Sequence, residues 1–199
     1  MATRKTGDDL TNVIFSVTRD IMADEGYQAV TFARIARESG TSRTVLYRRW
    51  SSPFALMTEA IQAKAHEVQG TLVDADFNTG SLRGDLIAML TRYKHSADIM
   101  GRTYNRAILG EVSKENNQDV TTFLAQLKQS NLFIMERILS KAQLNGEINN
   151  TTTDLVKLMP FELLRYRFLI SDEPITDDFI AEVVDEIVLP AIMQQQPHA

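Results

Sequence analysis

Residues 31–50 read TFARIARESGTSRTVLYRRW, and this stretch decides how the rest of the chain is read. Counted from Phe32 as first, Ala36 is fifth, Gly40 ninth and Leu46 fifteenth. Two helices that cross at about 90–120° through a turn this short need three things. They need a small residue where they touch, here Ala36, and a turn residue free to take positive φ, here Gly40. They also need an apolar residue on the second helix that points back into the angle, here Leu46 with Ile35 opposite. Thr31 is placed to cap the first helix, through Ser39, and Ser42 to cap the second, Arg43–Arg49. Arg43, Thr44, Tyr47, Arg48 and Arg49 are left facing outward.

An outward face of that composition fits a recognition helix in a DNA major groove. Ser42 and the first amides of the helix would meet phosphate, and Tyr47 would donate to phosphate. Arg43, Thr44 and Arg48 would reach base edges. Thr31, opening the preceding helix, is a further phosphate candidate. The bland alternative is a helical hairpin with a solvated arginine face.

Charge favours the first reading once it is divided along the chain. The 199 residues carry 21 Lys and Arg against 26 Asp and Glu, a net −5 that points away from nucleic acid. Residues 1–50, however, hold eight basic residues, from Arg4 and Lys5 to Arg48 and Arg49, against six acids, so this part is +2 and the remainder −7. Between Thr31 and Trp50 five arginines face one glutamate. A small anion-facing head on an acidic body is the implied division, 1–50 and 51–199.

The flanking sequence is helical by period, with five prolines, nine glycines and little that alternates like a strand. A first helix is expected from about Asp9 to Glu25, ended by Gly26-Tyr27. Ser52-Pro53 restarts the chain into a fourth helix to about Asp74. Loop composition follows over 74–81, then helices near 82–98, 101–115, 118–145, 153–171 and 176–193. Pro160 should kink its helix or mark its true first turn.

The quoted segment resembles the DNA-binding head of the TetR family of bacterial transcriptional regulators. That family's pattern is a threonine-opened helix with Ile-Ala, a Gly-x-Ser turn, Leu-Tyr, and an aromatic three residues after the tyrosine, here Trp50. Ile14–Gly26-Tyr27 is similar to the family's first helix and its exit. The resemblance covers about residues 10–56 well. Beyond them it rests on length, an all-helical layout and the opening Gly80-Ser-Leu-Arg-Gly-Asp-Leu. Two departures stand out. The lysine usual at the start of the fourth helix, a phosphate contact, is Pro53, and the histidine or tyrosine usual before the final aromatic is Arg49, which supplies a cation nearby.

For residues 51–199 the resemblance implies a helical effector-binding and dimerising body. Helix 153–171 is apolar nearly all round, with Leu155 and Leu158 among its residues, and helix 176–193 carries Phe179, Val183 and Ile187 on one stripe. A helix apolar on every side must be covered on every side, and a second copy of the chain could cover it. These five residues are the candidate dimer contacts; the alternative is that both helices complete a monomer's core. Asn131 interrupts the apolar stripe Val120, Leu124, Leu127, Ile134, Ile138, and buried polar groups need partners. Asn131, Tyr93, Tyr104, Phe161, Arg165 and Tyr166 are the candidate contacts to a small molecule. Each of them could instead be a core residue with an internal hydrogen bond.

Composition excludes other classes. With 44% hydrophobic residues the chain can build a core, and with no cysteine it has no disulfide framework, thiolate zinc site or cysteine nucleophile. His66, His95 and His198 are far apart, and Gly70 stands where a zinc-protease helix would place a second histidine after His66-Glu67. No glycine-rich phosphate loop and no Gly-x-Ser-x-Gly elbow is present. Asn149–Thr152 is a polar loop. The opening residues lead into no apolar signal segment, and no run approaches the roughly 18 apolar residues of a membrane span. The expectation is an all-α, cytoplasmic, non-enzymatic regulator without cofactor or metal. Its three-helix head would bind a near-palindromic double-stranded operator as a homodimer, and an unknown small-molecule effector would release it, making it a repressor. The alternative is an all-α ligand-binding or protein-interaction module without specific DNA binding.

Overall fold

The computed structural model describes residues 7–114, 117–149, 151–171 and 173–194. Arg4 and Lys5 of the charge balance, Asn150 of the polar loop and His198 lie outside the described residues. Among the described residues all regular structure is helical. Helix α1 is Gly7–Glu25, α2 Phe32–Ser39, α3 Arg43–Arg49, α4 Pro53–Gln69, α5 Leu82–Met100, α6 Arg102–Val112 and α7 Gln118–Leu144. Helix α8, Asp154–Tyr166, runs on through a wide π turn, Arg167–Ser171. The last helix, α9, passes from Asp177–Glu182 through a second π turn, Val183–Val188, to Leu189–Gln194. No helix among the described residues is long and apolar enough to cross a membrane.

The chain packs as two compact units. The first comprises residues 1–69 and 99–123, the second 70–98 and 124–199, so the chain changes unit within α5 and again within α7. The division at residue 50 suggested by charge is therefore not where packing divides the chain. Residues 51–69 and 99–123 share a core with the helices of the head: Ile14, Ile35, Leu46, Leu56 and Tyr104 belong to one apolar cluster. The second unit has a separate core that includes Leu86, Met135, Phe161, Val184 and Ile192.

Helix α4 ends five residues before the expected Asp74. Gly70 takes φ +73°, the left-handed conformation that stops a helix, and the Thr71 hydroxyl then bonds the Asp74 carboxylate. The following segment is pinned to α7 through its carbonyls. Arg137 donates to Val73 and Ala75 at 2.5 and 3.3 Å, and Lys141 donates to Phe77 at 2.6 Å. Asp85, 3% exposed, accepts from the Thr79 amide and hydroxyl at 2.6 and 2.8 Å and pairs with Lys141 at 3.3 Å. Pro160 is buried well inside α8, so it is not a first-turn proline.

Burial along α9 corrects one expectation. Phe179, Val183 and Ile187 were read as one stripe, but Val183 is 2% exposed in the single chain. It lies with Ile180, Val184, Val188 and Ile192, all 0% exposed, in the protomer's own core. A strict spacing of four drifts about 40° per step around a regular α-helix. An i→i+5 turn takes in one residue more and holds the series Ile180, Val184, Val188 and Ile192 on one side; Val183, three residues from Ile180 and beside Val184, falls on that same buried side. Ile187 remains at the surface, Phe179 is half-buried, and on α8 Leu155 is 78% exposed with Leu158 half-buried.

Candidate nucleic-acid interface

The head is built by local chemistry at each junction. Gly26, at φ 80°, ends α1, and its amide bonds Met22 O at 3.1 Å. One 3₁₀ turn, Tyr27–Ala29, leads to Thr31, whose hydroxyl accepts from the Arg34 amide at 3.3 Å and caps α2. At the other end Gly40 sits at φ 71°, and the Thr41 amide bonds Ala36 O at 3.1 Å. Ser42 caps α3 by accepting from the Val45 amide at 3.3 Å. Ala36 is buried in the angle between α2 and α3, and Ile35 and Leu46 are fully enclosed there.

With that angle fixed, Arg43, Thr44, Tyr47, Arg48 and Arg49 are all exposed, as are Thr31 and Ser42. Tyr47 is 66% exposed, yet its ring is fixed edge-on against Phe32 with centroids 4.8 Å apart. The phenol is therefore presented outward on a rigid support.

The five arginines of the segment do two different jobs. Arg34 pairs with Glu25 and, at 2.8 Å, with Glu38, which clamps α2 to the end of α1. Its guanidinium holds both carboxyls below the usual carboxylate range and is itself raised by them. Arg37 meets Glu38 at 3.3 Å. Arg43, Arg48 and Arg49, all from α3, have no ion pair among the described residues. The Arg49 guanidinium lies 4.6 Å above the Trp50 ring, and the Trp50 indole donates to Glu59 at 2.6 Å. The charge balance alone could not tell the two structural arginines from the three that remain available.

The small-molecule candidates separate. Within the second unit Tyr93 and Phe161 stack edge-to-face at 5.2 Å, and Arg165 donates to the Tyr93 hydroxyl at 3.4 Å and to Glu162 at 3.0 Å. Asn131, on α7 in the same unit, is 3% exposed. Tyr104 belongs to the first unit, enclosed beside Thr58, and burial raises its pKa. Tyr166 is 61% exposed. It is one residue, about 100°, further round α8 than Arg165, which sets it apart from the other small-molecule candidates on that helix. The sequence reading missed Ile170 and Met193, 57% and 45% exposed near Tyr166 and Ile187 in sequence. Their apolar character at helix-surface positions was the available signal.

Residues 14–60 match the family described as bacterial regulatory proteins, tetR family, and residues 77–187 match the tetracyclin repressor-like C-terminal domain. The chain belongs to the TetR family. It is an all-α transcriptional regulator with a DNA-binding helix-turn-helix head and a helical C-terminal region. An uncharacterized HTH-type transcriptional regulator of Mycobacterium bovis is 28% identical over 182 residues, covering 90% of this chain and 86% of that one. The DNA-binding transcriptional repressor TetR of Mycobacteroides abscessus is 25% identical over 94% of this chain and 95% of its own length. A TetR family transcription regulator solved by crystallography has 28% identity and a TM-score of 0.64, over 89% of this chain and 94% of that one. FadR of Bacillus subtilis, solved in complex with stearoyl-CoA, shares the fold at 13% identity and a TM-score of 0.60, over 90% and 96% of the two chains.

Against the family's pattern, Pro53 opens α4 and offers no side-chain cation there, while Arg49 lies on Trp50 four residues earlier.

Proposed function

We propose that this TetR-family chain is a ligand-released repressor that binds a near-palindromic operator as a homodimer. The observation that carries the reading is the division of labour among the arginines. Arg34 and Arg37 are spent on acids, whereas Arg43, Arg48 and Arg49 project from α3 without an ion pair among the described residues. Arg43, Thr44 and Arg48 reach base edges, and Thr31, Ser42, Tyr47 and Arg49 meet phosphates on either side. DNA reading is confined to residues 1–50, and effector binding and dimerisation to 51–199. The two heads engage successive major-groove half-sites about 34–36 Å apart.

Leu155, Leu158, Phe179 and Ile187 form the dimer contact, extended by the exposed Tyr166, Ile170 and Met193. The effector binds near Tyr93, Asn131, Phe161 and Arg165. It lowers DNA affinity by its preference for a conformation whose heads no longer fit the operator.

Selection of bound DNA from a random pool tests the reading directly. It should return a two-fold site bound at least ~10-fold better than bulk DNA. Its affinity should fall steeply between about 50 and 200 mM salt as phosphate contacts are lost. A pool without enrichment favours the ligand-binding module without specific DNA binding. For the dimer, light scattering should give twice 22.5 kDa; a monomer mass at micromolar concentration overturns that part.

A further inference from the structure

The two serines that leave the recognition helix are tied to the start of α7. The Ser51 hydroxyl donates to one oxygen of the Asp119 carboxylate at 2.8 Å, and the Ser52 hydroxyl donates to the other. Ser52 also accepts from the Ala55 amide at 3.1 Å, so the residue that opens α4 is held by the same carboxylate. The serines lie 68 and 67 residues away in sequence, so chain connectivity alone does not hold them there.

A second tie lies beside it. Glu111, 4% exposed on α6, accepts from Asn117 at 2.7 Å and pairs with Lys114, whose ammonium sits 5.8 Å over the Tyr27 ring. Asn117 in turn accepts from the Val120 amide at 3.3 Å in the first turn of α7. Burial first, and Glu111 second, raise the Tyr27 hydroxyl's pKa. The polar corner between α6 and α7 thus grips the head at both ends of its helix-turn-helix, at Tyr27 before it and at Ser51 and Ser52 after it.

Apolar packing against such a corner tolerates small rotations, because it has no direction. A carboxylate that accepts from two hydroxyls does not, since both bonds must keep their geometry at once. We infer that Asp119 is a positioning residue which, through Ser51 and Ser52, fixes the direction of the recognition helix relative to the first turn of α7. In a dimer that direction sets the distance between half-sites the protein accepts. Asp119 itself touches no base and no phosphate. This rests on the dimeric operator reading above.

The test is selection from a random DNA pool with the full-length wild type, Asp119→Ala, Asp119→Asn and Ser51→Ala. Wild type should return two half-sites at one separation. Asp119→Ala should return the same half-site sequence spread over neighbouring separations, with reduced affinity for the wild-type spacing. Asp119→Asn, which keeps one acceptor oxygen, should broaden the distribution less, and Ser51→Ala, which removes one exposed hydroxyl, should do the same. A merely structural loss would weaken binding at every separation alike, which overturns the inference. An unchanged single separation in Asp119→Ala and Ser51→Ala overturns it too. Should Asp119→Ala not fold by circular dichroism, Ser51→Ala decides alone. A wild-type pool without two-fold sites overturns the operator reading and this inference with it.

Discussion

The head segment 31–50 and the last helices, α8 and α9, are both short-period amphipathic sequence, yet their side chains obey different rules. In the head every helix is eight residues or fewer between Thr31 and Trp50, and each junction is fixed by its own cap or glycine. Register has no length over which to drift, so the residues read as outward-facing are outward-facing. In α8 and α9 long apolar runs offer more than one face, and packing within the protomer takes up part of them: Val183 is in the core while Leu155 and Ile187 stay at the surface. Helical periodicity is thus dependable where caps reset it often, and ambiguous where a helix is apolar on more than one side.

The largest expected effect in this contrast comes from the cores that fix each register. Leu46, fully enclosed between α2 and α3, should cost about 2–5 kcal/mol when replaced by alanine. Leu155→Ala, at a residue 78% exposed, should cost little in the protomer and show itself as dimer dissociation on dilution. Thermal melts at two protein concentrations separate the two; equal, concentration-independent losses would break the contrast.

Next comes Arg48→Ala. Loss of a base-edge contact should remove roughly 1–3 kcal/mol of discrimination between operator and scrambled DNA. Tyr47→Phe should weaken both alike, because a phosphate contact carries no sequence information. Competition binding at fixed salt measures both, and a reversed pattern would exchange the two roles.

Gly40→Ala sharpens the part that backbone chemistry plays. At φ 71° an L-side chain is strained by about 1–2 kcal/mol even though the space around it is open. The melting temperature should therefore fall without any loss of packing. No fall would mean the turn relaxes freely.

The smallest effect should be the acid dependence of the α1–α2 clamp. A carboxylate whose folded pKa is lowered contributes stability above its unfolded pKa and loses it as pH falls through the folded value. Arg34 lowers Glu25 and Glu38 in this way. Wild type should thus lose stability faster than Arg34→Met on acidification below the ordinary carboxylate range, until the two curves meet. Both acids are exposed, so the difference is modest. Parallel melting curves throughout would show that the clamp contributes nothing.

What was legible in the sequence follows the same division. Thr31, Gly40 and Ser42 announce their geometry because each acts on residues within four positions, and Leu46 because the short turn fixes where it meets Ile35. The helix ranges through α7, apart from the end of α4, were legible for a related reason, since glycines and polar tracts bound them. What was not legible depends on partners far along the chain. Nothing near Arg34 in sequence says that Glu25 will hold it, and nothing near Ser51 says that Asp119 will meet it 68 residues later. Tyr104 and Tyr93 read alike, as polar-tipped aromatics on neighbouring helices, but packing assigns them to different compact units.

The π turn at Val183–Val188 has a consequence for how this chain can tolerate insertion and loss. It is the local answer of an α-helix to one residue too many: the surplus is stored as a widened loop of backbone rather than passed along the helix. Deleting one residue there should let α9 run as plain α-helix while the residues beyond it keep their orientation. Ile192 would stay in the core and the same side would face outward. The turn is in that sense a buffer, where α9 can lose a residue without disturbing what the helix beyond it buries.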